Sequence, residues 1–151
     1  MLTFIPFREL PRLMPLLTLL CFAMSVDLIA QSSANPLLRR SALPYQLPPF
    51  EQIQNEHFLP AFEQGMAEEL KEVEAIATNP APATFDNTIV ALERSGETLA
   101  RAERAFSILT GALTNPDLEK VDSAMSPRFA AHRDAIRLNP GLFARVAALF
   151  E

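Results

Sequence analysis

From Phe58 almost to the end of the chain, apolar residues recur every three or four positions, and proline-containing breaks interrupt the pattern after Asn79, Asn115 and Asn139. A step of three or four keeps side chains on one face of an α-helix, whereas a half-buried strand needs a step of two. Asn115-Pro116 and Asn139-Pro140 also suit helix starts. The asparagine oxygen accepts from orphan amides, and proline takes a first-turn position whose amide has no helical partner. These features confine the region to an all-α class.

The spacing predicts four helices. The first starts near Asn55, with Pro60 tolerated in its first turn, and runs to about Thr78, burying Phe58, Phe62, Met66, Leu70, Val73 and Ile76 or Ala77. Glu68, Glu69, Lys71, Glu72 and Glu74 form its solvated face, and Asn79-Pro-Ala-Pro82 ends it, because neither proline continues the hydrogen-bond ladder. Thr84 caps the second helix, whose seam is Phe85, Ile89, Leu92, Gly96, Leu99 and Phe106. Ser95-Gly96 breaks that seam with poor helix formers and marks either a close crossing or a kink. Arg94, Glu97, Arg101, Glu103 and Arg104 are assigned to solvent.

The third helix opens at Asn115-Pro116 and carries Leu118, Val121, Met125, Phe129 and Ile136, with Pro127 expected to kink or divide it. The fourth opens at Asn139-Pro140 with Leu142, Phe143, Val146, Leu149 and Phe150 on its apolar side. It reaches Glu151 in an apolar run without a closing signal, so we expect packing partners beyond the chain. Leaving Leu149 and Phe150 exposed would forgo about 1.5–3 kcal/mol for each fully buried side chain.

Two segments precede the helices. Arg8 and Arg12 outweigh Glu9 in a weakly basic start, followed by the apolar run Leu13 to Met24. The run is short for a bilayer span, which needs about 20 residues, and Asp27 closes it. Met1 to Ala34 is therefore read as a signal peptide. Cleavage is favoured after Ala34 in Ser32-Ser-Ala34, with cleavage after Ala30 and a retained anchor as the alternatives. Leu20 before Cys21 argues against a lipoprotein signal. A mature chain starting at Asn35 has no cysteine, hence no disulfide framework and no thiolate chemistry. Residues 35–54 contain Pro36, Pro44, Pro48 and Pro49 and are expected to be extended and irregular. Their apolar residues, among them Leu37, Leu43, Tyr45, Leu47 and Phe50, are too many for a free linker and call for a surface to lie on.

Little chemistry is encoded. The net charge of −5 comes from scattered acidic and basic residues, with no basic run to follow a phosphate backbone, so nucleic acid is not an expected partner. His57 and His132 are too far apart for a His-Glu-x-x-His arrangement. His57, beside Glu56, reads as a surface or capping residue, and His132 as a partly buried, hydrogen-bonded one. Glu68, Glu69 and Glu72 show no apolar enclosure that would tune them for acid–base work. Ser32, Ser95 and Ser123 lie in no nucleophile elbow, and with Gly at only 4 positions there is no phosphate-cradling loop. No catalytic, cofactor-binding or metal-ligating residue is assigned.

Several blocks together resemble a known family. Asn35-Pro-Leu-Leu38 with Leu43-Pro-Tyr-Gln-Leu-Pro-Pro-Phe50 is similar to the opening of bacterial peptidyl-dipeptidases, or dipeptidyl carboxypeptidases, of the thimet-oligopeptidase-like zinc metallopeptidases. Phe58-Leu-Pro-Ala-Phe-Glu-Gln-Gly-Met66, Asn79 to Glu93 and Ala130-Ala-His-Arg-Asp-Ala-Ile136 resemble it in the same order, Thr84 to Glu93 most specifically. The resemblance implies the N-terminal helices of a larger, almost wholly helical enzyme whose zinc motif and glutamate ligand lie beyond this chain. It implies a wall of a deep channel admitting short or unfolded peptides, and zinc-activated water releasing dipeptides from substrate C-termini.

The expected organisation is a signal peptide at 1–34, an extended Pro-rich segment at 35–54 and a helical peptidase region at 55–151. That makes the chain part of an exported, periplasmic zinc metallopeptidase. It would be inactive alone, would bind no zinc itself, would lack a stable membrane span and would depend on a C-terminal catalytic part. The alternative is a non-catalytic helical protein that binds a peptide or a partner.

Overall fold

A computed structural model describes residues 35–150 of the protein. The helices are α1 (Phe58–Ala77), α2 (Ala91–Arg94), α3 (Glu97–Leu113), α4 (Pro116–Arg137) and α5 (Pro140–Ala147), with no strand among the described residues. The all-α class holds. The segment read as a signal peptide, with Cys21, lies outside the described residues.

Helix α1 is the central element, and α3, α4 and α5 all pack on it. Its predicted stripe is buried at Phe58, Phe62, Met66, Val73 and Ile76. Gly65 sets the distance to α3. A Cβ there would lie 2.8 Å from the Leu99 Cα and from its amide nitrogen, both backbone atoms that cannot swing aside. The backbones therefore approach closely, and the aromatic rings gather around the crossing. Phe106 meets Phe58 edge-on at 5.0 Å and Phe62 at 5.3 Å, and Phe129 of α4 meets Phe62 at 5.0 Å. Such edge-to-face pairs add about 0.5–1.5 kcal/mol each beyond area burial. Further along α1, Val73, Ile76 and Leu142 form a second, smaller apolar cluster.

Both Asn-Pro openings cap as expected. The Asn115 side chain accepts from the Asp117 and Leu118 amides at 3.1 and 3.0 Å, and Asn139 accepts from Leu142 at 3.0 Å. The first helix starts differently. A 3₁₀ turn over Asn55–His57 precedes α1, and the cap nitrogen of Gln54 donates to His57 Nδ1 at 3.0 Å. Asn55 sits inside that turn, and its side-chain amide donates to Asn115 Oδ1 at 3.2 Å, tying the start of α1 to the start of α4.

Five expectations on the helices are corrected. Leu70 is 40% exposed, because the neighbouring Glu69 takes the inward position. Phe85 is 65% exposed, whereas Thr88 is fully buried. Asp86–Val90 forms a π turn, and its wider i→i+5 ring shifts the phase of the apolar pattern. At Ser95-Gly96 the helix ends outright: Gly96 adopts φ 70°, left-handed, and α3 restarts at Glu97. Pro127 does not divide α4, which runs unbroken from Pro116 to Arg137. On α5 Leu142 is buried, which turns the adjacent Phe143 outward at 71% exposure.

Residues 35–54 carry short 3₁₀ turns at Pro36–Leu38, Pro44–Gln46 and Phe50–Gln52. The surface they lie on is this chain's own helices. Leu37 joins the main core with Phe58, Phe62 and Leu99, and the Asn35 amide donates to the His57 carbonyl at 2.8 Å. Leu43, Tyr45 and Leu47 remain exposed.

Candidate functional site

The fold buries several polar groups that the sequence pattern places in solvent. Glu69 lies one turn beyond Met66 and one turn before Val73, so the apolar line of α1 passes through it. On α4, His132 follows Met125 and Phe129 on the face turned to α1. Its Nε2 lies 2.7 Å from Glu69 Oε2, with the two side chains only 5% and 20% exposed. His132 is thus buried and hydrogen-bonded, as its apolar flank suggested. Its Nδ1 is also buried and has no partner among the described residues.

Glu69 is therefore corrected from a plain solvated face, whereas Glu72 stays exposed as expected and adds a hydrogen bond across the fold. Glu72 Oε2 accepts from the Gly96 amide at 2.8 Å, which fastens the break between α2 and α3. A side chain at Gly96 would strike the Glu69 carboxylate, with Cβ 2.5 Å from its carboxyl carbon. Gly96 is thus required twice, for its left-handed φ and for room beside this pair. Glu103 of α3 completes the group. Burial pushes its carboxyl above the usual carboxylate range, opposed by Arg133, reinforced by Glu69 and opposed again by His132.

The chemistry open to this cluster is narrow. A histidine held by a carboxylate is oriented, yet no nucleophile stands beside it. Among the described residues no group of three or more His, Cys, Asp or Glu side chains converges as metal ligands would. A zinc site uses three or four protein ligands, so these residues do not fit that ion. Their role is to clamp α1, α3 and α4. Of the other candidates, His57 caps the turn before α1, and Ser95 Oγ donates to the Leu92 carbonyl at 2.7 Å. Ser123 is exposed on α4, and Ser32 lies outside the described residues.

Arg145 was not anticipated. From an otherwise apolar stretch of α5 its guanidinium donates to the carbonyls of Asn79 and Ala81 at 2.8 and 3.0 Å and to Asn87 Oδ1 at 2.7 Å. It holds the 79–87 connection, which Asn87 also closes internally by donating to the Pro82 carbonyl and pairing with Thr84. A charged residue interrupting Leu142 to Leu149 was the available signal. Arg101, expected in solvent, has a side chain only 15% exposed, and its Nε donates to the Leu37 carbonyl at 2.9 Å. Burial lowers its affinity for its proton, against the pull of Glu97.

Beside Arg101 a groove of about 290 Å³ opens between α3 and the Pro44–Gln46 turn. Tyr45 and Gln46 hold the turn with φ of 57° and 56°, a left-handed conformation unusual for two successive residues that are not glycine.

No protein-family model matches the chain. It is 45% identical over 119 residues to the dipeptidyl carboxypeptidase of Salmonella typhimurium, and 45% identical over 120 residues to that of Escherichia coli. This chain is homologous to part of the dipeptidyl carboxypeptidases. The matched stretch is 79–80% of the chain but 18% of the length of each relative. A weaker likeness, 28% identity over 72% of the chain and 15% of the relative, connects it to Oligopeptidase A of Escherichia coli.

The blocks that suggest a dipeptidyl carboxypeptidase in the sequence have architectural jobs here. Phe58 to Met66 supplies the aromatic crossing with Gly65, Thr84 to Glu93 forms the π turn and α2, and Ala130 to Ile136 brings His132 to Glu69.

Proposed function

We propose that the chain is the N-terminal helical part of an exported zinc peptidyl-dipeptidase that releases dipeptides from the C-termini of short peptides. In this reading the helices wall the channel that limits entry, and the chain alone cleaves nothing. The 45% identity to two dipeptidyl carboxypeptidases, over a stretch that is 18% of their length, is the observation that carries it. The metal and its ligands would come from outside this chain, and no step of the reaction runs through its described residues. What these residues do is hold shape: Gly65 sets the α1–α3 crossing, and Arg145 fixes the 79–87 connection.

Export rests on the Met1 to Ala34 pattern, and the periplasm is the compartment it favours. Among the described residues no helix is long and apolar enough to cross a membrane.

A chimera tests the functional reading. The matched stretch of the Escherichia coli dipeptidyl carboxypeptidase is replaced by this chain, and dipeptide release from a short peptide is measured. The chimera should retain dipeptide release, whereas the isolated chain should show none even with zinc supplied. A folded, zinc-loaded chimera without activity would sink the proposal. Mass spectrometry of periplasmic extract tests export, with a product beginning at Asn35 expected and an intact Met1 chain in the cytoplasm counting against it.

A further inference from the structure

The groove beneath the Pro44–Gln46 turn is unbalanced in charge. Glu97 is its only carboxylate, and Arg40 already engages it at 2.6 Å. Arg101 Nη1 is 4.0 Å from the same carboxylate, and its Nη2 has only a long 3.4 Å contact with Thr98 Oγ1. Arg104, one turn further along α3, pairs with no carboxylate among the described residues. Arg40 and Arg101 thus share direct contact with one carboxylate, Glu68 acts on Arg101 only at longer range, and Arg101 and Arg104 line the groove with donors to spare. Arg101 is fixed in place by its bond to the Leu37 carbonyl, so its free edge is preorganised.

The remaining wall is apolar apart from Gln46. Leu47 and Ile108 are about half exposed, and Tyr45 is 96% exposed at the rim. The left-handed pair Tyr45 and Gln46 shapes the turn that forms this side of the groove, closed by the Gln46 and Leu47 amides donating to the carbonyls of Leu43 and Pro44 at 3.0 and 3.3 Å. A groove of about 290 Å³ is at the small end of ligand sites and suits a group the size of one amino acid.

We propose that this groove binds a carboxylate with an apolar group beside it, the carboxylate taken by Arg101 and Arg104 and the apolar group lying on Leu47 and Ile108. Planar guanidiniums match a carboxylate through paired N–H donors, and Arg101, whose side chain is largely covered, offers the less solvated of the two. The inference stands apart from the peptidase reading, since it needs neither zinc nor cleavage.

The chain carries one tyrosine and no tryptophan, so the fluorescence of Tyr45 reports this groove directly. The full chain is titrated with N-acetyl-leucine, N-acetyl-leucinamide, N-acetyl-glutamate α-amide and sulfate. A saturable change is expected with N-acetyl-leucine, weaker at high salt, and at least about tenfold weaker binding with the uncharged amide, as losing a charge-assisted hydrogen bond implies. Comparing N-acetyl-leucine with the glutamate derivative separates a chain-end carboxylate from an acidic side chain. Arg104→Gln should weaken binding by about tenfold with an unchanged far-ultraviolet spectrum, because Arg104 is exposed and anchors nothing. Equal responses to acid and amide, equal binding of sulfate, or full affinity in Arg104→Gln would each overturn the proposal.

Discussion

The two halves of α1 are held by different means. Its first half, Phe58 to Gly65, meets α3 through rings and a glycine, in a cluster whose members are almost fully buried. Its second half relies on a small apolar cluster and on polar clamps: Glu69 to His132, Glu72 to Gly96, and Arg145 reaching back to Asn79 and Ala81 just beyond the helix end. Apolar burial scales with area and tolerates change of partner, so the first half supplies stability. Directional hydrogen bonds fix where things sit, so the second half sets the course of the connections. The largest cost of a substitution should therefore fall in the first half, and the most local effects in the second.

Phe62→Ala is the strongest test. Phe62 is fully buried and stacks with Phe58, Phe106 and Phe129, so its removal should cost about 3–5 kcal/mol in denaturant unfolding. A loss near 1 kcal/mol would show that the aromatic crossing is not where the stability resides. Arg145→Ala comes next. It leaves the carbonyls of Asn79 and Ala81 without their donor and should cost about 2–3 kcal/mol, as hydrogen bonds to a charged group do. Arg145→Lys should recover only part of this, because one ammonium nitrogen cannot take the places of both Nη1 and Nη2. If Arg145→Ala proved as costly as Phe62→Ala, the contrast between the halves would collapse.

The same contrast explains what could be read from the sequence. Apolar spacing located all of the longer helices and most of the first half's core, and the Asn-Pro pairs marked two helix starts within a residue. Those are local signals, carried by neighbours three or four positions apart. The polar half is built from partners 24 to 66 residues apart, such as Glu72 with Gly96 and Arg145 with Asn79, which no window of sequence displays. Charge is the best single-residue cue for exposure, and it places Glu69 and Arg101 in solvent and gives no reason to bury Arg145. The cue fails where a partner across the fold satisfies the charge. Phe85 departs from its expected place for a different reason: a π turn alters the period itself, so the template of three and four does not apply there.

Asn139→Ala probes the junction between the two means of support. Asn139 caps α5, whose Leu142 belongs to the apolar cluster and whose Arg145 holds the polar clamp. Losing the cap should cost about 1 kcal/mol. Amide hydrogen exchange should rise in the first turn of α5 and along 79–87, while the Phe58 to Gly65 region keeps its protection. Faster exchange throughout α1 would mean that the halves unfold together and are not separately supported.

The smallest effect concerns Glu103, the one acidic group near the clamp whose proton affinity the fold raises, chiefly by burial. A carboxyl with a folded pKa above its unfolded one opposes folding when it must carry charge. The penalty is fully present above the folded pKa and vanishes as pH falls below the unfolded one. Glu103→Gln should therefore raise the unfolding free energy at pH 7 slightly, by less than about 1 kcal/mol because the group is still partly solvated. The gain should shrink as pH falls through the carboxylate range, since the wild-type residue is then neutral as well. The opposite trend, a variant that loses stability at pH 7 and recovers in acid, would mean that attraction to Arg133 and His132 outweighs burial. The second half of α1 would then owe its position to charge pairing, and the division between an apolar and a hydrogen-bonded half would need redrawing at Glu69.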